Sequence, residues 1–327
     1  MKAISLFSGG LDSQLAVCLV KKQGITVEAI NFKSPFFGDD IRTYQAAENL
    51  NVKLHLIDTG EEYISKVLKD PIYGYGKNLN PCIDCHGFML RKAGEMLEEL
   101  GASFIITGEV VGQRPMSQNK SALNAVDKIS GYKGYILRPL SAKLLTPTIP
   151  ELEGWIDREK LEDISGRNRQ RQFELANKFN IIEYPAPAGG CLLTEANFSN
   201  RLKKMWSVSP NSNTQEMGIL KVGRHFYLED NLLVVGRNAS ENEKITEDAL
   251  AADLLIKVSN RPGPIGLIRK YNSINEEIIQ KAAAIIARYS DAKSDPIAKV
   301  KVYDKDNGLV RELEVKPMLP EQVPTSI

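Results

Sequence analysis

With 327 residues, 43% of them apolar and 25% charged, the chain is long enough to bury a sizeable core and to divide into two domains. A formal charge of +1 excludes a global basic field, so contact with nucleic acid has to come from local patches. No stretch reaches the apolar length of a membrane span, no signal-peptide layout is present, and four cysteines do not make a disulfide scaffold. The expectation is a cytoplasmic protein whose clustered thiols serve a metal or catalysis.

The first apolar stretch, Ala3 to Phe7, predicts a strand, and Gln14 to Val20 predicts a helix. Between them runs Ser8-Gly9-Gly10-Leu11-Asp12-Ser13. A strand, a glycine turn lined by hydroxyls and a helix N-terminus form a cradle for phosphate, because free N–H groups and the positive dipole end face the anion. The run has neither the Gly-Lys-Ser/Thr of a Walker loop nor the spaced glycines of a dinucleotide fingerprint.

Further strands are expected at Thr26–Phe32, Val52–Ile57 and Ser103–Thr107, and helices from Asp39 to Leu50 and from Phe88 to Leu100, with Gly101 as a stop. The alternation predicts an α/β fold, a doubly wound parallel sheet with helices on both faces. Ligands of such sheets bind beyond the strand carboxyl ends. The glycine loop, the segment after Ile57 and Gly108-Glu109-Val110-Val111-Gly112-Gln113 therefore share one rim.

Pro139, Pro147 and Pro150 punctuate the end of this core, and residues 151–180 read as helical and then basic, with Arg167, Arg169 and Arg171 close together. From about Ser207 the pattern changes to short strands. Gly218–Leu228 and Asn231–Asn238 flank the polar turn Glu229-Asp230-Asn231 and predict a hairpin, followed by a helix from Ile274 to Tyr289 and a strand from Ile297 to Tyr303. A second, smaller α+β domain is expected, giving domains 1–205 and 206–327.

Asn80-Pro81-Cys82-Ile83-Asp84-Cys85-His86 puts two thiols three positions apart just before a helix, and Cys191 follows Pro187-Ala188-Gly189-Gly190. Three readings compete. A zinc ion could take the three cysteines with His86. A persulfide carrier and a resolving thiol could work without metal. The favoured reading is a [4Fe-4S] cluster on Cys82, Cys85 and Cys191, with one iron left open to bind sulfide. Cys18, among Ala16, Val17, Leu19 and Val20, reads as a small buried apolar residue.

The loop Ser8 to Ser13 resembles the signature of the ATP pyrophosphatases, which cleave ATP between its α and β phosphates and adenylate a carbonyl oxygen. Over about the first 200 residues the chain also resembles the tRNA thiouridine synthetases. That likeness is carried by Asn80 to Cys85, Thr107-Gly108-Glu109 with Gly112-Gln113, Ser117-Gln118, and Leu137-Arg138-Pro139-Leu140.

The resemblance implies an adenine nucleotide alpha-hydrolase-like sheet. ATP and Mg²⁺ would be held by Ser8, Gly9, Gly10, Asp12 and Ser13 with Gly108 and Gln113, and catalytic roles would fall to Asp12, Cys85 and Cys191. The expected product is 4-thiouridine in tRNA, with 2-thiouridine second, and the sulfur would come from a cysteine desulfurase or free sulfide. A homodimer is compatible with it.

Lys221 to Phe226 with Val234 to Glu243 is similar to the RNA-binding module of ribosome quality-control factors. Phosphate contacts are expected from Arg167, Arg169 and Arg171, with Arg201, Lys203 and Lys204. Arg224, His225 and Phe226 offer a cation, a hydrogen-bonding ring and a stacking surface for unpaired nucleotides. Two departures from that resemblance are expected: the loop starts at residue 8 of this sequence rather than after an RNA-binding domain, and a rhodanese-like cysteine is not expected toward the C-terminus. The alternatives are an amide-forming synthetase on the same ATP loop and a non-catalytic RNA-binding factor.

Overall fold

The computed structural model describes residues 1–38, 40–185, 190–306 and 308–327. The chain separates into two compact units, Met1–Thr194 and Glu195–Ile327.

In the first unit, β1 (Lys2–Leu6), α1 (Leu11–Lys21), β2 (Thr26–Lys33), α2 (Ile41–Asn49) and β3 (Leu54–Asp58) alternate as expected. There follow α3 (Gly60–Tyr63) running into a π-turn at Ile64–Leu68, α4 (Cys82–Glu95), β4 (Phe104–Thr107), α5 (Lys120–Ser130), β5 (Ile136–Leu137), α6 (Ile149–Leu152) and α7 (Gln170–Lys178). Among the described residues the strands form a parallel sheet in the order β3-β2-β1-β4-β5. Apolar residues cover both faces: Leu15, Val20, Phe104, Leu137 and Leu175 pack together on one, and Ile4, Ile30, Leu90, Ile105 and Val126 on the other. The order reverses between β1 and β4, which is where a doubly wound sheet opens its ligand crevice.

Two sequence expectations are corrected here. Residues 151–180 are not one helix; short turns and a loop carry the chain from α6 to α7. The helix expected to begin at Phe88 begins at Cys82, with Pro81 as its cap residue, so both cysteines lie in its first turn rather than before it. The helix runs through Gly87, where a Cβ would come within 2.5 Å of the Ile129 side chain; the glycine marks close packing against α5, not a break.

The second unit comprises α8 (Ala196–Val208), β6 (Arg224–Leu228), β7 (Asn231–Val235), α9 (Ala239–Glu247), β8 (Leu254–Val258), β9 (Gly266–Arg269), α10 (Glu276–Arg288), β10 (Ala298–Tyr303) and β11 (Leu309–Val315). Its antiparallel sheet runs β11-β10-β8-β9-β7-β6. The expected hairpin is present: Glu229 and Asp230 have φ of 47° and 62° and join β6 to β7 in a two-residue turn whose twist matches the strands. Ile278, Ala282, Ile285 and Ile286 of α10 pack against Phe226, Leu233, Ile256 and Val300 of the sheet.

Candidate active site

The register of β1 against β4 builds the site. Leu6 pairs with Thr107, so the turn after β1 and the turn after β4 leave the sheet side by side. Gly9 turns with φ of 72°, and the N-terminus of α1 begins at Gly10 with no side-chain cap, leaving its first N–H groups for a ligand. Ser13 Oγ donates to the Gly10 carbonyl at 2.8 Å and lies 3.4 Å from Ser8 Oγ, so the hydroxyls stay within the turn. Gly108 is pressed against this loop. A Cβ there would sit 2.5 Å from the Ser13 nitrogen and 2.6 Å from the Asp12 carbonyl carbon, so only glycine permits the contact.

Asp12 is the hub. Gln113 Nε2 donates to its Oδ2 at 2.7 Å, and Gln172 Nε2 donates to Gln113 Oε1 at 3.1 Å. Arg169 Nη2 lies 3.8 Å from Asp12 Oδ1. Asp12 Oδ1, Arg169 Nε and Gln172 Oε1 are all buried without a hydrogen-bond partner. Three orphaned polar atoms around one phosphate cradle fit a polar ligand, since groups left unmade at this depth cost free energy. Asp12, Arg169 and the free N–H groups of α1 would hold the phosphates of ATP and their Mg²⁺. Arg169, read from sequence as an RNA contact, thus points at the ATP loop. Its delivery depends on the segment after β5, where the Gly166 nitrogen donates to Val111 O at 2.8 Å.

Of the other two arginines in that stretch, Arg171 is engaged by Glu162 at 2.9 Å and Glu174 at 3.1 Å, while Arg167 is exposed.

The thiols join the same site through α4. His86, next to Cys85, contacts Glu109 Oε1 through Nδ1 at 2.8 Å, and Glu109 follows the Gly108 that touches Asp12 and Ser13. Glu109 is in turn held by Arg138 Nε at 2.9 Å, and Arg138 by Asp127 at 2.8 Å. Although burial opposes it, the Arg138 charge and His86 hold the Glu109 carboxyl down at about 2.

Cys191 comes in from the far end of the unit. Leu192 N donates to Phe36 O at 3.0 Å and Asn78 Nδ2 to Thr194 O at 2.7 Å, fixing the backbone on both sides of it. Cys82, Cys85 and Cys191 are close enough to act on one another electrostatically. Asn80 Nδ2 lies 3.3 Å from Cys82 Sγ, and Tyr63 hydrogen-bonds to Cys85. Desolvation pushes the Cys85 thiol far up and the Cys191 thiol up to about 11.

These thiols fit a ligand that would itself stabilise their ionised form, as metal does. A zinc ion on the three cysteines would have to take His86 through Nε2, since Nδ1 is bonded to Glu109. Among the described residues no group of three or more His, Cys, Asp and Glu converges on a single ion. In a cluster each thiolate binds a different iron, so convergence on one point is not required. Pro187, Ala188 and Gly189 lie outside the described residues.

Within the second unit, two of the Arg224-His225-Phe226 group expected to stack with or bind unpaired nucleotides are core. Phe226 is 1% exposed and packs with Tyr289; His225 is fully buried, its Nε2 2.8 Å from Val222 O. Burial holds the imidazole neutral, its pKa lowered to about 3. Only Arg224 keeps surface, its guanidinium 4.7 Å from the centroid of the Tyr289 ring. Arg201 is tied to the carbonyls of Leu220 and Gly223 at 2.9 Å each. Among the described residues no helix is long and apolar enough to cross a membrane.

Sequence reasoning missed Arg169 and Gln172 as neighbours of the ATP loop, and it missed the His86–Glu109–Arg138 chain. The second had a readable signal: Glu109 lies two residues past β4 and Arg138 one residue past the neighbouring β5, and opposite charges at adjacent strand ends pair.

Comparison with known proteins agrees with this layout. Over 120 residues, 34% of this chain and 35% of the relative, it is 35% identical to the tRNA-specific 2-thiouridylase of Sulfurimonas denitrificans. The corresponding enzyme of Karelsulcia muelleri is 29% identical over 60% of this chain and 52% of its own length. A probable tRNA sulfurtransferase of Lysinibacillus sphaericus is 32% identical over 42% and 34%. The chain thus spans between about a third and a half of these relatives. Residues 223–326 match the family described as the NFACT protein RNA binding domain. Residues 1–178, more than half of the chain and the part that carries the ATP loop, Glu109, Arg169 and two of the three clustered cysteines, match the tRNA methyl transferase HUP domain, and the chain belongs to that family.

Proposed function

We propose that the protein is an ATP-dependent tRNA sulfurtransferase that adenylates a uridine carbonyl and replaces its oxygen with sulfur. The observation that carries the reading is the continuous path from the ATP loop to the thiols: Asp12 and Ser13 against Gly108, Glu109 bonded to His86, and His86 adjacent to Cys85. A uracil carbonyl is a poor electrophile, and a nucleotide activator and a sulfur carrier on one rim are what its substitution requires.

In this reading the carbonyl oxygen of uridine attacks the α-phosphorus of ATP and pyrophosphate leaves. The N–H groups of α1, Ser8 and Ser13 receive the developing phosphate charge, with Arg169 beside them and Asp12 orienting both Gln113 and the metal-bound phosphates. Sulfide then adds to the activated carbon and AMP departs with the original oxygen, a balance that needs no electron transfer. A [4Fe-4S] cluster, when bound to Cys82, Cys85 and Cys191, supplies an iron to carry the incoming sulfur. If the sulfur arrives as a cysteine persulfide instead, the other thiol releases it by forming a disulfide, and an external thiol must reduce that disulfide.

By the resemblance to the thiouridine synthetases, 4-thiouridine is the first reading. Two of the three relatives described above are named 2-thiouridylases, which keeps carbon 2 as the second reading. The second unit is assigned to tRNA docking, in line with the family matched by residues 223–326.

The test is anaerobic turnover with unthiolated tRNA, ATP, Mg²⁺ and sulfide, followed by pyrophosphate assay and mass spectrometry of the digested nucleosides. One pyrophosphate per thiolated uridine is expected, abolished by Asp12→Asn and by Cys85→Ala. The retention of the thionucleoside separates carbon 2 from carbon 4. ATP cleavage without thiolation of any tRNA would overturn the reading.

A further inference from the structure

Between the π-turn and α4 the chain makes a loop, Pro71-Ile72-Tyr73-Gly74-Tyr75-Gly76-Lys77, that the reaction as described does not use. It is apolar and aromatic yet exposed: Ile72 is 79%, Tyr73 46% and Tyr75 41% accessible. Exposed apolar surface concentrated on one short segment marks a contact site.

This loop is also held in place from the site itself. Asp84, buried between Cys82 and Cys85, accepts from the Ile72 nitrogen at 2.8 Å and the Tyr73 nitrogen at 3.0 Å. Asn80 receives the Asn78 nitrogen at 3.1 Å and the Gly76 nitrogen at 2.9 Å, while its amide reaches Cys82 Sγ. The Tyr75 hydroxyl donates to Leu68 O at 2.6 Å, fixing that ring while leaving much of it open. Lys77 is exposed on the same loop, and Asp70 at its base is close enough to Tyr75 to act on that phenol electrostatically.

We propose that Tyr73 and Tyr75 form a stacking platform that receives unpaired bases of the tRNA at the mouth of the thiol site, with Lys77 on an adjoining phosphate. The inference rests on the tRNA sulfurtransferase reading and adds to it the surface that presents the target uridine. A uridine can meet both the ATP-bound phosphate and the thiols only outside a duplex, and a base pulled out of its stack needs a replacement stacking partner. The Tyr75 ring, fixed by its hydroxyl, and Tyr73, whose backbone is tied to Asp84, provide one at reduced ordering cost. Asp84 thus has a positioning role: it ties the platform to the helix that carries the cysteines.

The experiment compares wild type, Tyr73→Ala, Tyr75→Ala, the double variant and Tyr73→Phe. The readouts are equilibrium binding of radiolabelled unthiolated tRNA, photo-crosslinking of the same tRNA transcribed with 5-bromouridine, binding of a fluorescent ATP analogue, and the urea midpoint. Each alanine variant is expected to lose about tenfold or more in tRNA affinity. ATP-analogue binding and the urea midpoint stay unchanged, crosslinks map to residues 71–77, and Tyr73→Phe retains wild-type binding.

If wild type thiolates tRNA but the alanine variants bind it normally and crosslinks fall elsewhere, the platform is overturned while the activity stands. Normal tRNA binding with weakened docking of a desulfurase would assign the loop to the sulfur donor and also overturn the proposal. If wild type neither binds nor thiolates any tRNA, the activity reading fails, and the platform falls with it.

Discussion

Glu109→Gln is the sharpest test of how the site is wired. In the wild type the Glu109 carboxylate is buried between Arg138 and His86, and Arg138 is itself 3% exposed with Asp127 as its other partner. A carboxyl held at about 2 against an ordinary 4.5 corresponds to about 3 kcal/mol of stability at neutral pH. Breaking a buried ion pair from one side costs a similar 3–5 kcal/mol, roughly, because the remaining charge loses its partner. The sign follows from the depressed value. The contribution is complete above the unfolded carboxyl range near 4.5 and is lost as pH falls toward 2, where the folded state also protonates.

The assay is urea unfolding followed by Trp155, which packs against Phe104 in the first unit, in a Trp206→Phe background that silences the second unit. At pH 7 the variant should be about 3 kcal/mol less stable than its parent, and the gap should close between about pH 4.5 and pH 2. A gap below about 1 kcal/mol at pH 7, or one that does not change with pH, would refute the assignment of Glu109 as the charged link between loop and thiols.

Two further outcomes follow from the placement of single side chains. Arg169→Met should lower tRNA-dependent pyrophosphate release by about a hundredfold or more. Its tRNA affinity should stay within about twofold, since each lost phosphate contact reduces the salt dependence by about one unit and none is expected here. A large loss of tRNA affinity with normal ATP binding would return Arg169 to the RNA surface. Phe226→Ala should destabilise the second unit by about 3–5 kcal/mol, as a buried aromatic does, measured by thermal unfolding. RNA affinity of the folded fraction should stay the same, whereas a stacking residue would show the opposite pattern.

The parts of the fold that local chemistry dictates were legible in the sequence. Ser8 to Ser13 could be placed because strand, glycine turn and helix start are adjacent in the chain, and the hairpin because a short polar turn, Glu229-Asp230-Asn231, separates two apolar runs, a turn the structure forms with Glu229 and Asp230 at positive φ. What was lost depends on long-range register. Arg169 reaches Asp12 only because Gly166 pairs with Val111, more than 50 residues earlier, and no periodicity announces that bridge. The failure at Phe226 has a plainer cause. In β6 the side chains alternate between faces, but α10 covers one face while the other is also closed around His225, so alternation did not separate inside from outside. The early start of α4 was hidden by Gly87, whose reason is the Ile129 side chain of another helix.

The choice between cluster and persulfide can be argued from the same physics. A persulfide carrier works best when its thiol ionises easily, as at a helix N-terminus open to solvent or beside a cation. Cys85 has the helix N-terminus but is buried, and desolvation outweighs the Tyr63 hydrogen bond that favours its thiolate. Cys191 is also pushed up, to about 11, despite the N–H groups of Leu193 and Thr194. Thiols so placed stay protonated near neutral pH unless a metal takes the proton's place. The cluster reading therefore predicts about four irons and four sulfides per chain after anaerobic purification, reduced in Cys82→Ala, Cys85→Ala and Cys191→Ala alike. Loss of iron in only two of the three variants would remove the third cysteine from the ligand set. Zinc, or no metal after attempted reconstitution, would leave the sulfur on a thiol whose ionisation the surrounding protein opposes, and would require tRNA or the donor protein to reshape the site before sulfur can move.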